Sequence, residues 1–109
     1  MTGILNTTTM PRLNEMNYLT WHVRMRALLI RAKLWGIMSG KETAPDPKMA
    51  SAATVESFAS RQLKAAAETT LYVEDSQIPH IQSDDLKVVW DELAHVHRSH
   101  GLSTQLAAM

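Results

Sequence analysis

Apolar positions recur every three or four residues along three stretches of the chain, and strict alternation is sustained nowhere. This spacing predicts helices and no sheet. Residues 1–12 are polar and read as a poorly ordered lead ending at Pro11. Asn14 or Asn17 is placed to cap a first helix running to about Met38, with Gly40 as its stop. Thr43 to Pro47 reads as a loop, because two prolines block a helix there. A second helix is predicted from Ser51 or Thr54 to about Asp75. Val55, Ala59, Leu63, Ala66, Thr70 and Val73 form its apolar face, and Ala65 to Ala67 add helix propensity and room for close packing. Gln77 to Ile81 reads as a connector of one turn. Asp84 and Asp85 then offer a cap and favourable negative charge to a helix carrying Leu86, Val89, Trp90, Leu93 and Val96. His97 and Arg98 fall in its expected last turn and Gly101 at its end, with Leu102 to Met109 starting another helix. The pattern as a whole predicts an all-α bundle of four to five helices.

The first helix carries two apolar faces when stepped at about 100° per residue. Tyr18, Trp21, Met25, Leu28, Leu29, Ala32 and Trp35 form one stripe, with Trp21 and Trp35 four turns apart. Val23, Ile30, Leu34 and Ile37 form a second, narrower one. His22, Arg26 and Lys33 divide the stripes on one side; Arg24 and Arg31 flank the first on the other. A membrane-surface helix is disfavoured, because the basic residues are not gathered on one polar face, and two other accounts fit this pattern. The helix is central and buried on both sides, or the second stripe is a self-association surface rimmed by charge.

Composition narrows the class. The chain has 109 residues, enough for one domain, and no cysteine, which removes disulfides, thiolate metal sites and cysteine nucleophiles together. Net charge is zero but polarised. Residues 1–48 hold seven Lys or Arg against three acids, and residues 49–109 hold four against eight. The halves are therefore complementary, either facing each other inside one fold or meeting between copies. No stretch approaches the ~20 apolar residues of a membrane span, and the lead lacks the charged start and apolar core of a signal peptide.

Little resembles an active site. His97 and His100 share a helical face while His95 does not, and no HExxH or Cys/His spacing accompanies them, so neither metal nor cofactor is expected. Asp84 and Asp85 point to different faces and read as a cap rather than a carboxylate pair. Neither a phosphate-binding glycine loop nor a G-x-S-x-G turn is present, and no catalysis or small-molecule substrate is expected. Arg24, Arg26, Arg31 and Lys33 are the candidates for weak electrostatic contact with RNA, which needs only such charge.

Leu13-Asn14-Glu15-Met16-Asn17-Tyr18-Leu19-Thr20-Trp21 resembles the opening signature of copia-type LTR-retrotransposon Gag polyproteins, a Leu-x-Gly-x-Asn-Tyr-x-x-Trp pattern. Met25, Leu34-Trp35 and Gly40 occupy that family's later positions. Lys64-Ala65 with Leu71, and the Lys87 to Leu93 segment around Trp90, resemble two further family segments in the same order. Glu15 stands where the family usually has Gly, and Phe58 or a neighbour where many members have Trp. The resemblance covers residues 13–109. It implies a capsid N-terminal-domain-like helical domain that stops short of the C-terminal capsid part. It also implies Tyr18, Trp21, Met25, Leu34, Trp35, Trp90 and Leu93 as core signature positions. The implied role is structural: self-association, with copies or other Gag subunits as partners, into cytoplasmic virus-like particles enclosing element RNA. Val23, Ile30, Leu34 and Ile37 are the candidate contacts. The alternatives are a Gag-derived host adaptor or inhibitor that blocks assembly, and a weak RNA-binding module.

Overall fold

The computed structural model describes the backbone of residues 10–108 and the side chains of residues 10–98. Most of the lead expected over residues 1–12 lies outside the described residues. Four α-helices are formed: α1 (Tyr18–Arg31), α2 (Trp35–Met38), α3 (Ala52–Leu71) and α4 (Leu86–Ala108), with a 3-10 segment, Asp75–Ile81, between α3 and α4. The fold is all-α, as its periodicity predicts.

Two asparagines shape the approach to α1. Asn14 Oδ1 accepts from the backbone N–H of Met16 and Asn17, while Asn17 Oδ1 accepts from Asn14 N–H and Asn17 Nδ2 donates to the Arg12 carbonyl. Asn17 occupies the N-cap position, yet its side chain turns back along the chain and does not cap the helix. Its role is to fold the preceding turn, in the manner of Asx side chains that bind nearby backbone.

That turn sets Leu13 beside the end of α3. Leu13 N–H donates to the Tyr72 carbonyl at 2.8 Å and Glu74 N–H donates to the Leu13 carbonyl at 2.9 Å, forming a single parallel bridge between Leu13 and Val73. The Trp21 indole Nε1–H donates to the same Tyr72 carbonyl at 2.8 Å. Both lone pairs of one oxygen are thus used, and the buried indole has its polar atom satisfied.

The long first helix expected to about Met38 is broken after Arg31. Lys33 adopts a left-handed backbone, φ +63°. Leu34 N–H reaches back to the Leu29 carbonyl at 2.7 Å and Lys33 N–H to the Ile30 carbonyl at 3.0 Å. These two bonds define a Schellman C-cap, with Leu29 and Leu34 as its buried apolar pair. Arg61 on α3 holds the break: its guanidinium donates to the Lys33 carbonyl at 2.7 Å and forms a two-pronged pair with Glu42 at 2.5 and 3.0 Å. That hydrogen-bonded pair lowers the Glu42 carboxyl below its usual range. Gly40, at φ +80°, ends α2 as the sequence suggests.

Helix α3 begins as predicted, with Ser51 Oγ accepting from Thr54 N–H at 3.1 Å. It ends at Leu71, four residues early, because Tyr72 and Val73 are engaged by the bridge to Leu13. Its inward face is Phe58, Ala65 and Thr69, with the predicted Ala66 partly buried beside them; of the other predicted positions Val55 is half-buried, Val73 is buried beyond the helix end, and Ala59, Leu63 and Thr70 are exposed, as is Leu71. Alanines on every side of this helix leave its periodicity ambiguous, and Phe58 settles the rotation. Thr69 is buried with its hydroxyl satisfied by the Ala65 carbonyl at 2.9 Å.

Asp85 Oδ1 accepts from the N–H groups of Lys87 and Val88 at the start of α4. Leu86, Val89 and Leu93 then face inward. The expected stop at Gly101 and new helix at Leu102 do not occur, since α4 runs on to Ala108. A helical glycine costs only about 1 kcal/mol against alanine, and no left-handed cap forms there. His97 therefore stands in mid-helix, not in a last turn. It is buried, with Nε2–H donating to Gln77 Oε1 at 2.7 Å while Gln77 Nε2 donates to Ser76 Oγ.

Two measurements check this account. Trp21→Phe deletes the indole donor and leaves a gap, and should lower unfolding free energy by about 2 kcal/mol in urea. Lys33→Gly relieves a left-handed lysine and should raise it by up to about 1 kcal/mol; a destabilised Lys33→Gly protein would show that Arg61 alone sets the break.

Candidate self-association surface

Among the described residues, helix α1 is packed from one side only. Trp21, Met25 and Leu29 are fully buried, with Tyr18, Leu28 and Ala32 partly buried beside them. The remaining signature positions join this core: Leu34 and Leu93 are buried, Trp35 and Trp90 half-buried against it. Trp90 lies between Trp21 and Trp35, with ring centroids 5.8 and 5.2 Å away, the second edge-on at 77°. Tyr18 is sandwiched between His22 and His97, at 4.9 and 5.0 Å with nearly parallel rings. Burial raises the Tyr18 phenol above its ordinary value. The aromatic residues thus tie α1 to α4 along their facing sides, and the rest of α1 turns outward.

The outward side carries the exposed aliphatics. Leu19 is 78% exposed, Val23 60% and Ile30 51%. Their spacings of four and seven put them on one line of the helix, and exposed Met16 precedes them. The candidate set Val23, Ile30, Leu34 and Ile37 is therefore divided. Val23 and Ile30 lie on the surface. Leu34 and Ile37 are 1% and 5% exposed and belong to the core. The break at Lys33 is the cause, because it swings α2 out of the α1 axis and turns these two inward. Leu19 completes the surface in their place. Its signal was present in the sequence, four residues ahead of Val23, but Leu19 reads there as part of the Asn-Tyr-x-x-Trp signature.

Charge frames this line. Arg24 and Arg31 stand on one flank and Arg26 on the other; Lys33 lies just past the helix end, and all four are exposed. Arg26 rests over the Trp35 ring, 5.4 Å from its centroid. Among the described residues the ion pairs are Arg61–Glu42 and Lys87–Asp91. Neither joins a base of the first half to an acid of the second. The first pair couples an acid of the basic half to a base of the acidic half, so it sharpens the imbalance rather than cancelling it. Among the described residues, the opposed charges of the two halves form no ion pair with each other across the halves other than Arg61–Glu42.

Other features offer less. Two adjoining clefts of about 350 and 530 Å³ share Glu42, Thr43 and Phe58. Of the ionised groups at their walls, Arg61, Glu42 and Lys87 are in ion pairs, Asp85 accepts from the first N–H groups of α4, and Asp84 is exposed. Among the described residues no group of three His, Asp or Glu side chains is placed to hold a metal, and His97 is committed to Gln77 and Tyr18. No helix among the described residues is long and apolar enough to cross a membrane. Comparison with protein-family models, with curated proteins and with solved structures gave no match to this chain.

Core and surface positions are separable by truncation. Leu34→Ala and Ile37→Ala should each cost about 2–5 kcal/mol in thermal or urea unfolding, whereas Val23→Ala should cost under about 0.5 kcal/mol. Equal costs at Val23 and Leu34 would mean that Val23 is buried in solution.

Proposed function

We propose that this chain is a structural, non-enzymatic domain whose work is to associate with copies of itself, in the manner of the capsid region of copia-type Gag polyproteins that build cytoplasmic particles around element RNA. The observation that carries this reading is the exposed Leu19–Val23–Ile30 line on α1, edged by arginines that form no ion pair among the described residues. An aliphatic line of this kind, rimmed by charge and left uncovered by its own fold, has the character of a protein contact. The order of the Asn-Tyr-x-x-Trp, Leu-Trp and Trp90 segments supports the family attribution. The core built by Trp21, Trp35 and Trp90 gives those segments a shared structural role.

A nucleic-acid reading has weaker support. The four candidate basic residues are exposed, but they are split between two flanks with aliphatic side chains between them. Such a division suits the rim of a protein contact better than a continuous track for phosphates.

The test is solution mass across a concentration series, by sedimentation or light scattering. The wild-type chain is expected to form species larger than a monomer at high concentration. The paired substitution Val23→Glu and Ile30→Glu should keep the helical circular dichroism of the parent and remain monomeric. A wild-type chain that stays monomeric throughout would remove this reading.

A further inference from the structure

Two surfaces on this molecule are suited to each other and cannot meet within one copy. The first is the α1 line of Leu19, Val23 and Ile30 with Arg24, Arg26 and Arg31 around it. The second is the outer side of α4. There Val88 is half-exposed, with exposed Asp91 and Glu92 on either side of it around the helix and exposed Asp84 and Asp85 just before the first turn; Lys87, also exposed, is paired with Asp91. Val88 lies opposite the buried Leu86, Val89 and Leu93, so this side faces away from the core. The contacts of Tyr18 with His97 and of Trp21 with Trp90 use the inward sides of both helices. The basic and acidic sides are therefore left pointing outward on the same molecule.

Resting on the self-association reading, we propose that the contact is heterologous: the basic aliphatic line of α1 in one copy docks on the acidic, Val88-centred side of α4 in the next. Charge complementarity selects the occupant. A second α1 would set arginine against arginine, whereas α4 brings acids. Among the described residues no ion pair engages Asp84 or Glu92, nor Arg24 or Arg31, so forming the contact breaks none. Spacing agrees as well. Arg24 and Arg31 stand about 10 Å apart along α1, and the carboxylates at the start of α4 lie on the order of 10 Å from Glu92. Because the inward sides of α1 and α4 face each other, the two patches point in opposite directions, and one two-fold contact cannot use both at once. They generate a ring or a continuing array, in which each copy uses both patches.

A charge-swap experiment on the full chain tests this. Arg24→Glu with Arg31→Glu makes one variant; Asp84→Arg with Glu92→Arg makes the other. All four positions are exposed, and circular dichroism checks that each variant keeps its fold. Each variant alone is expected to associate at least about tenfold more weakly than wild type at low salt. An equimolar mixture should recover association, since each reversed patch then meets an opposite one. Raising salt to about 0.5 M should weaken the wild-type contact. If wild type associates and the α4 reversal leaves it unchanged, the pairing is wrong while self-association stands. If wild type is monomeric at every concentration, both fall.

Discussion

The Tyr72 carbonyl is the point on which the rest of the structure depends. It accepts one bond from Leu13 N–H and another from the Trp21 indole. The first ties the N-terminal segment to the end of α3, and the second pins α1 across the same place. An indole N–H sealed in an apolar core without a partner would cost about 1–3 kcal/mol, so the carbonyl must be presented to it. Presenting it requires that α3 stop at Leu71 and that the chain extend through Val73. The short bridge and the early end of α3 are thus consequences of burying one tryptophan. With Trp21 fixed, Trp90 stacks beside it and Trp35 closes on Trp90, which settles where α4 and α2 lie.

Much of this was legible in the chain because its cause is local. Ser51 and Asp85 announce their helices, and Gly40 announces a stop. The order of tryptophans announces a shared core. The break at Lys33 was not legible, because the usual sign is a glycine and here a lysine takes the left-handed position. What stabilises it is remote: Arg61, twenty-eight residues on, holds the Lys33 carbonyl. The face of α3 was misread for a different reason. Alanine is compatible with either side of a helix, so a pattern rich in it has period but little phase. Gly101 misled in the opposite sense, as a breaker residue in a segment with no other reason to end.

The surface was legible in part for the same physical reasons. Val23 and Ile30 sit within one unbroken helix, where stepping by 100° holds. Leu34 and Ile37 lie beyond the break, where that arithmetic no longer applies. Leu19 sits between Tyr18 and Trp21, two residues whose claim on the core is obvious, and alternating faces on so short a span hide the outward one.

The break also has a consequence for association. An unbroken helix to Met38 would have displayed Val23, Ile30, Leu34 and Ile37 as one long aliphatic strip, an aggregation-prone surface on a chain of this size. Turning Leu34 and Ile37 into the core shortens that strip to about three turns and uses the withdrawn side chains to secure the fold. What is left exposed on this line of α1 is three aliphatic side chains, Leu19, Val23 and Ile30. Under the proposed association, so few side chains would suit an array of many weak junctions better than a permanent dimer. In that array the charges on either side would supply the selectivity that so few aliphatic groups lack, since like-charged alternatives are disfavoured. The left-handed lysine that interrupts α1 thus divides these apolar residues between the core, which takes Leu34 and Ile37, and the surface, which keeps Val23 and Ile30.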